Sequence, residues 1–391
     1  MHKGNPSYMK QMNRRLIINY IKENETVSRA TISKQLSLSK PTVSAVVDQL
    51  LKEGWILETG SGEASSSGGR KPVNLKFNPH KAYIIGVDIG GTKVAIGITD
   101  LNGSMISFSE FPTQVYLEKN LFEQIKKHVE EQKEKLNIDN SKILGMGVGI
   151  PGVVHVEKGI VKEAPALRWI NFPIKKELNS KFNFPIYIDN DVNISVLGEH
   201  WKGIGSTRSN LIYIAIGTGI GSGLIINNRL YRGSNYSAGE IGYMVTDKEH
   251  AQQYYPVYEG YGYLESVSSG SSIGSQLSKK LKKTLTAKEA FKLYEKNNKQ
   301  AVEIIETAIE NLGIGIANYI SLFDPEMIVL GGGVSESYSL IINKMQPIID
   351  RFTPEKCDVV KSILGKEAGV VGAVALFLKE HDSMLTIKGE G

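Results

Sequence analysis

Apolar residues recur at helical spacing through the first fifty positions of the chain. Met12, Leu16, Ile17, Tyr20 and Ile21 share one face of a helix that starts near Tyr8 and ends at the polar turn around Asn24. Ser28 is placed to cap a shorter second helix, whose inward pair is Ile32 and Leu36. The turn Ser37-Leu38-Ser39 leads to a third helix with Pro41 at its start, where a missing N–H costs nothing, and Val43, Val46, Val47, Leu50 and Leu51 as its core stripe. Two strand-like runs, Trp55 to Thr59 and Val73 to Phe77, stand on either side of a Gly/Ser-rich segment. Three helices and a hairpin predict a winged helix-turn-helix over residues 1–80, with the competing possibility that residues 60–69 are only a linker.

From Tyr83 the period shortens to apolar strands that end in glycine, hydroxyl and carboxylate residues. Ile84 to Ile89 and Val94 to Ile98 flank Asp88, Gly90, Gly91, Thr92 and Lys93, a hairpin whose bare backbone can approach phosphate oxygens and whose aspartate can orient hydrated Mg²⁺. A tight turn without chemistry explains this motif equally well when it stands alone. Gly145 to Gly152 ends a further strand, and Ile186 to Asp189 ends another at Asn190, Asp191 and Asn193 before a helix. The hairpin pattern then repeats at Gly217, Thr218 and Gly219; the run after it is a strand, so it is no dinucleotide fingerprint. Glu240 stands in Ser237-Ala-Gly-Glu-Ile-Gly242, and a buried strand runs into Gly331, Gly332 and Gly333. Polar groups at strand ends are where α/β sheets build ligand clefts. These parts predict an actin-like ATPase fold of two lobes over residues 81–391: lobe one at about 81–193, lobe two at about 194–370, and a C-terminal helix returning to lobe one.

Charge adds a partner to this picture. Residues 1–81 hold 13 Lys and Arg against 6 Asp and Glu, while the remaining chain holds 33 against 35. A basic domain joined to a nearly neutral one predicts contact with a polyanion. Ser39, Lys40, Pro41, Thr42 and Ser44 cluster where the third helix would enter a major groove, Arg29 lies on the helix before it, and Arg70 and Lys71 stand at the base of the wing. With one cysteine among 391 residues, an internal disulfide and a multi-cysteine metal site are excluded. The polar, basic first twenty residues and the lack of any long apolar run predict a cytoplasmic protein that does not engage a membrane.

Taken together, the motifs resemble the ROK family of repressors, open reading frames and kinases, over nearly the whole chain, and among them the xylose-type sugar repressors. The resemblance implies a phosphate motif at Asp88 to Lys93, a sugar-binding pair at Asn190 and Asp191, and further sugar contacts from Glu240 and Glu265. In the family's kinases the residue at Asp191 is the general base that takes a proton from a sugar hydroxyl; capping the following helix is the alternative role for it here. The kinases also carry a histidine where this chain has Tyr243, and that histidine binds zinc with three cysteines. Here Tyr243 takes the place of the sugar-contacting histidine, and the cysteine stretch reads Pro256 to Glu265 with no cysteine, so zinc is not expected. The loop that carries Glu265 is expected to be held by the aromatic packing of Tyr243, Tyr258 and Tyr263. The resemblance thus implies a sugar-responsive repressor of carbohydrate-utilisation genes that binds double-stranded operator DNA as a homodimer or tetramer. No cofactor is required on this reading; ATP and Mg enter only if the alternative, a sugar kinase using Asp191, is correct. A phosphosugar effector would use the same glycine loops.

Overall fold

The computed structural model describes residues 6–61, 73–249 and 262–381. The first three helices are α1 (Pro6–Glu23), α2 (Arg29–Gln35) and α3 (Lys40–Lys52), followed by antiparallel strands β1 (Ile56–Ser61) and β2 (Val73–Phe77). Local chemistry sets the helix starts: the Ser28 hydroxyl accepts from the Thr31 amide at 3.1 Å, and Ser39 from the Thr42 amide at 3.3 Å. Ile32, Val43, Val46, Val47 and Leu50 fill the core as expected. The buried stripe of α1, however, is Ile17, Ile18 and Ile21, while Met12 and Leu16 remain 37% and 45% exposed. Leu16 is turned about 100° from Ile17 on a helix, on the side away from Ile18. Contacts with α3 and β2, not hydrophobicity alone, choose which side of α1 faces in. The strands pair antiparallel; the segment between them, residues 62–72 with Arg70 and Lys71, lies outside the described residues.

The rest of the chain has an actin-like, sugar-kinase-like fold. In one lobe, β3 (Tyr83–Ile89), β4 (Lys93–Asp100) and β5 (Met105–Pro112) form an antiparallel meander, and β6 (Ile143–Ile150) and β10 (Ile186–Asn190) extend it in parallel beyond β3. A small antiparallel sheet of β7 (Val153–His155), β8 (Ile160–Ala164) and β9 (Trp169–Phe172) adjoins it. The second lobe has a related plan: β13 (Arg229–Leu230), β12 (Ile220–Ile226) and β11 (Leu211–Ile216) are antiparallel, and β14 (Met327–Gly331) and β15 (Asp358–Lys361) continue in parallel. Central strands read as unbroken apolar runs because both faces are covered.

Two helices lock the lobes together, α4 (Asp191–Trp201) and the C-terminal α5 (Ala368–Glu380). They approach so closely that a Cβ on Gly372 would lie 1.6 Å from the Ile194 carbonyl oxygen, and one on Gly198 would lie 2.6 Å from that of Ala368. Strand β6 meets α5 in the same way, at Gly147 against the Ala373 carbonyl.

The N-terminal three-helix domain stands directly on this framework. Val374, Phe377 and Leu378 of α5, with Ile84 and Leu101, belong to the same buried cluster as Ile17, Ile21 and Leu75. Residues 78–82 make the connection without slack: the Asn78 amide side chain donates to the Gly54 carbonyl and the Leu101 amide to that of Pro79. Lys22 is enclosed in the seam, 5.9 Å from the centre of the Phe77 ring. Burial, helped by the charge of Lys202, brings its ammonium down to about 8, with Glu23 and Asp100 opposing. Among the described residues, no helix is long and apolar enough to cross a membrane.

Candidate functional site

The cleft between the lobes is built from strand ends. Strand β3 delivers Asp88, and β10 delivers Asn190 directly before Asp191 opens α4. Asn190 is the cap of that helix: its carboxamide oxygen accepts from the amides of Val192 at 2.8 Å and Asn193 at 3.0 Å, and its nitrogen donates to the Gly152 carbonyl at 2.9 Å. The capping role considered for Asp191 therefore falls chiefly to its neighbour, although the Asp191 carboxylate also accepts from the Val192 amide at 2.9 Å. An amide hydrogen on Asn190 and most of the acceptor capacity of Asp191 remain for a ligand.

Three more carboxylates belong to the same neighbourhood. Burial, then the charge of Asp191, raises Asp88 to about 7, against a smaller pull from Lys93. Burial raises Asp191 itself to about 6, against the hydrogen bond from Val192. Glu240 is raised by burial and then by Asp191, and Glu265 reaches about 7 through burial, with the charge of Glu240 adding to it. Gly239 fixes where Glu240 stands: at φ +94 its missing Cβ would fall 2.0 Å from the Ser222 carbonyl, so this turn lies flat on β12. The Glu265 carboxylate accepts from the Ile220 amide at 2.6 Å, which joins this group of acids to the second glycine hairpin. Desolvated carboxylates and an amide facing a cleft suit a polyhydroxylated ligand, whose hydroxyls both donate and accept.

The glycine motifs line the same region. Gly90 closes its hairpin with a bond to the Lys93 carbonyl, and Gln114 donates to the Gly91 carbonyl at 2.8 Å. Thr92 is exposed, and the Lys93 ammonium, also exposed, pairs with Glu110 at 2.8 Å. Gly217 bonds to Gly219 across the second turn, Ser271 donates to the Thr218 carbonyl, and the Gly270 amide donates to the Gly217 carbonyl. Gly331 ends β14 against the Tyr213 hydroxyl, Gly332 lies on the Ile216 backbone, and Gly217 and Gly333 have open space where a Cβ would be. Tyr243 is 59% exposed. Tyr263 is buried at the start of a helix (Tyr263–Ser268), whereas Tyr258 is outside the described residues. Among the described residues, no group of three or more His, Cys, Asp or Glu could hold a metal ion.

On the N-terminal domain, Lys40 and Pro41 are exposed at the start of α3, with Thr42 and Ser44 partly so. The Ser39 hydroxyl is engaged in the cap. Arg29 bonds Asp48 at 2.8 Å and stands 3.9 Å from Glu58, which ties α2 to α3 and the wing. Its guanidinium keeps donors beyond that pair.

Sequence reasoning passed over two residues beside the cleft. Asp189, 1% exposed, accepts from the Asn190 amide, from the Asn193 side chain and from Arg232. An aspartate next to Asn190 and Asp191 was a visible signal; Arg232 had none, because its partners are far away in the chain.

Comparison with known proteins places this geometry. The ROK family profile matches residues 84–380, and a profile of winged helix-turn-helix DNA-binding domains matches residues 13–56. A xylose repressor of Caldicellulosiruptor bescii is 33% identical over 96% of this chain and 98% of its own length. A ROK family transcriptional regulator, a homologue of the E. coli MLC protein, superimposes with a TM-score of 0.77 at 23% identity, covering 94% of this chain and 96% of its own. A ROK family glucokinase from Streptomyces griseus, in complex with glucose and AMPPNP, superimposes at 0.65 with 26% identity over 75% of this chain and 99% of its own.

Proposed function

Because the chain belongs to the ROK family and carries a winged helix-turn-helix domain, we propose that it is a sugar-responsive transcriptional repressor of carbohydrate-utilisation genes. The observation that carries this reading is the seam: the DNA-binding core shares buried residues with α5, the helix that also packs on the cleft's framework. A ligand that draws the lobes together can therefore reorient the winged helices. D-Xylose is the first effector to test, on the strength of the relative's name. Asn190, Asp191, Glu240 and Glu265 bind its hydroxyls. Lys40, Thr42 and Ser44 meet the major groove, with Arg29, Arg70 and Lys71 at phosphates or the minor groove. A homodimer or tetramer in the cytoplasm presents two such helices to a two-fold operator.

A second reading, sugar kinase, is favoured by one observation: Asp191 sits close enough to Asp88 for its charge to raise that carboxyl, beside open glycine turns. Asp88, Gly90, Gly91, Gly217 and Gly333 would hold nucleotide phosphates and their Mg²⁺, which would neutralise the charge of a transferring phosphoryl group.

Fluorescence anisotropy on duplexes from upstream of the chain's own gene, at fixed salt, separates the readings. The expected result is specific binding that D-xylose, D-glucose or N-acetylglucosamine weakens by about 5- to 150-fold, an ordinary allosteric coupling. No specific binding to any fragment, together with sugar-dependent ATP turnover, would instead establish the kinase.

A further inference from the structure

The segment after β13 crosses from the second lobe to the first. Arg232 points its Nε at the Asp189 carboxylate, 2.7 Å away, and an Nη at Glu380, also at 2.7 Å. Glu380 is the last residue of α5. Four residues on, Tyr236 packs its ring on His155 of the first lobe, with centroids 4.6 Å apart, and the segment then reaches Glu240 in the cleft. The neighbouring Lys379 donates to the Asn228 carbonyl at 3.2 Å.

Asp189 makes this more than a surface ion pair. Its carboxylate is 2% exposed, and its other oxygen accepts from the Asn190 amide at 2.8 Å and the Asn193 carboxamide at 2.9 Å. A buried charge held by one guanidinium makes the position of that guanidinium consequential. The planar fork of an arginine can satisfy two carboxylates at once in fixed geometry, which the single ammonium of lysine cannot.

We propose that Arg232 is the positioning residue that holds the Asn190–Asp191 sugar-contact pair and ties it to the end of the C-terminal helix beneath the DNA-binding domain. This rests on the sugar-repressor reading above. A sugar gripped by Glu240 from one lobe and Asp191 from the other moves the segment 232–240 relative to β10. Arg232 passes that displacement to Glu380, within one helical turn of Phe377 and Leu378 in the shared core.

The test uses the full chain and D-xylose, with D-glucose and N-acetylglucosamine alongside, and reads operator affinity with and without sugar, sugar affinity without DNA, and melting temperature. Arg232→Gln is expected to weaken sugar binding about tenfold and bring the with-and-without ratio of operator affinity close to one. Glu380→Gln leaves the Asp189 contact in place, so it should reduce that ratio while sugar affinity without DNA stays within about threefold of wild type. Arg232→Lys should fall between. If Arg232→Gln does not fold, Asp189→Asn combined with Arg232→Gln removes both charges and should show the same lost ratio. A melting temperature that falls while the ratio stays at the wild-type value would overturn the assignment and leave Arg232 a purely structural residue. Wild-type protein that responds to none of the sugars would overturn the repressor reading and this assignment with it.

Discussion

At the scale of single residues, the site turns on how its carboxylates are used. Asn190 has committed its oxygen to two helix amides, whereas Asp191 keeps most of its acceptor capacity free. Asp191→Asn preserves shape and cap while removing the charge. Hydrogen bonds to a charged group contribute about 1.5–3 kcal/mol, so sugar affinity should fall about 10- to 150-fold. Operator affinity without sugar should stay unchanged. Sugar affinity equal to wild type, measured calorimetrically, would remove Asp191 from the ligand contacts. The motif residues of the cleft were legible in the sequence because each is local, a strand end with its turn. What Lys93 and Tyr243 do was not, since Glu110 recruits the first and the exposure of the second depends on how the turn at Ile241–Tyr243 lies.

Elements are legible where the pattern is self-contained and obscure where a partner decides. Ser28 and Ser39 announce their helices, and the alternation of strand and glycine turn announces both hairpins. The inward face of α1 differs from the expected one because Met12 and Leu16 are as apolar as Ile18, and only the placement of α3 and β2 selects among them. Helix α5 shows the opposite case, a sequence whose glycines declare close packing without saying against what. Replacing glycine by alanine inside a helix usually gains up to about 1 kcal/mol of propensity. At Gly372 the new methyl would meet the Ile194 carbonyl at 1.6 Å, a backbone atom that cannot step aside. Overpacking of this kind costs about 1–3 kcal/mol, so Gly372→Ala should lower the melting temperature, as scanning calorimetry can show. An unchanged or raised value would mean that α4 and α5 separate more easily than their packing indicates.

For the whole molecule, the cluster of raised acids makes behaviour depend on pH. Asp88, Asp191 and Glu265 have folded values of about 7, 6 and 7, above those of free carboxyls. Groups raised in this way contribute stability that is fully present below their unfolded values near 4 and is lost as pH rises toward 7. Lys22 acts only at higher pH, since its own window opens at about 8. Sugar hydroxyls donating to Asp191 and Glu265 favour their ionised forms, so binding should release protons and tighten between about pH 5.5 and 7. Calorimetry in two buffers of different ionisation enthalpy measures that release; proton uptake would contradict the proposed contacts. None of this was visible in the chain itself, because it arises where two lobes bring distant acids together.

The shared core beneath the winged helix also bears on how such regulators can be recombined. Exchanging residues 1–80 between two members of the family moves Ile17, Ile21 and Leu75 but leaves Ile84, Leu101, Phe377 and Leu378 behind. A chimera therefore inherits a new operator preference together with a mismatched floor, and its success depends on transplanting the last turns of the C-terminal helix, some three hundred residues away, along with the head.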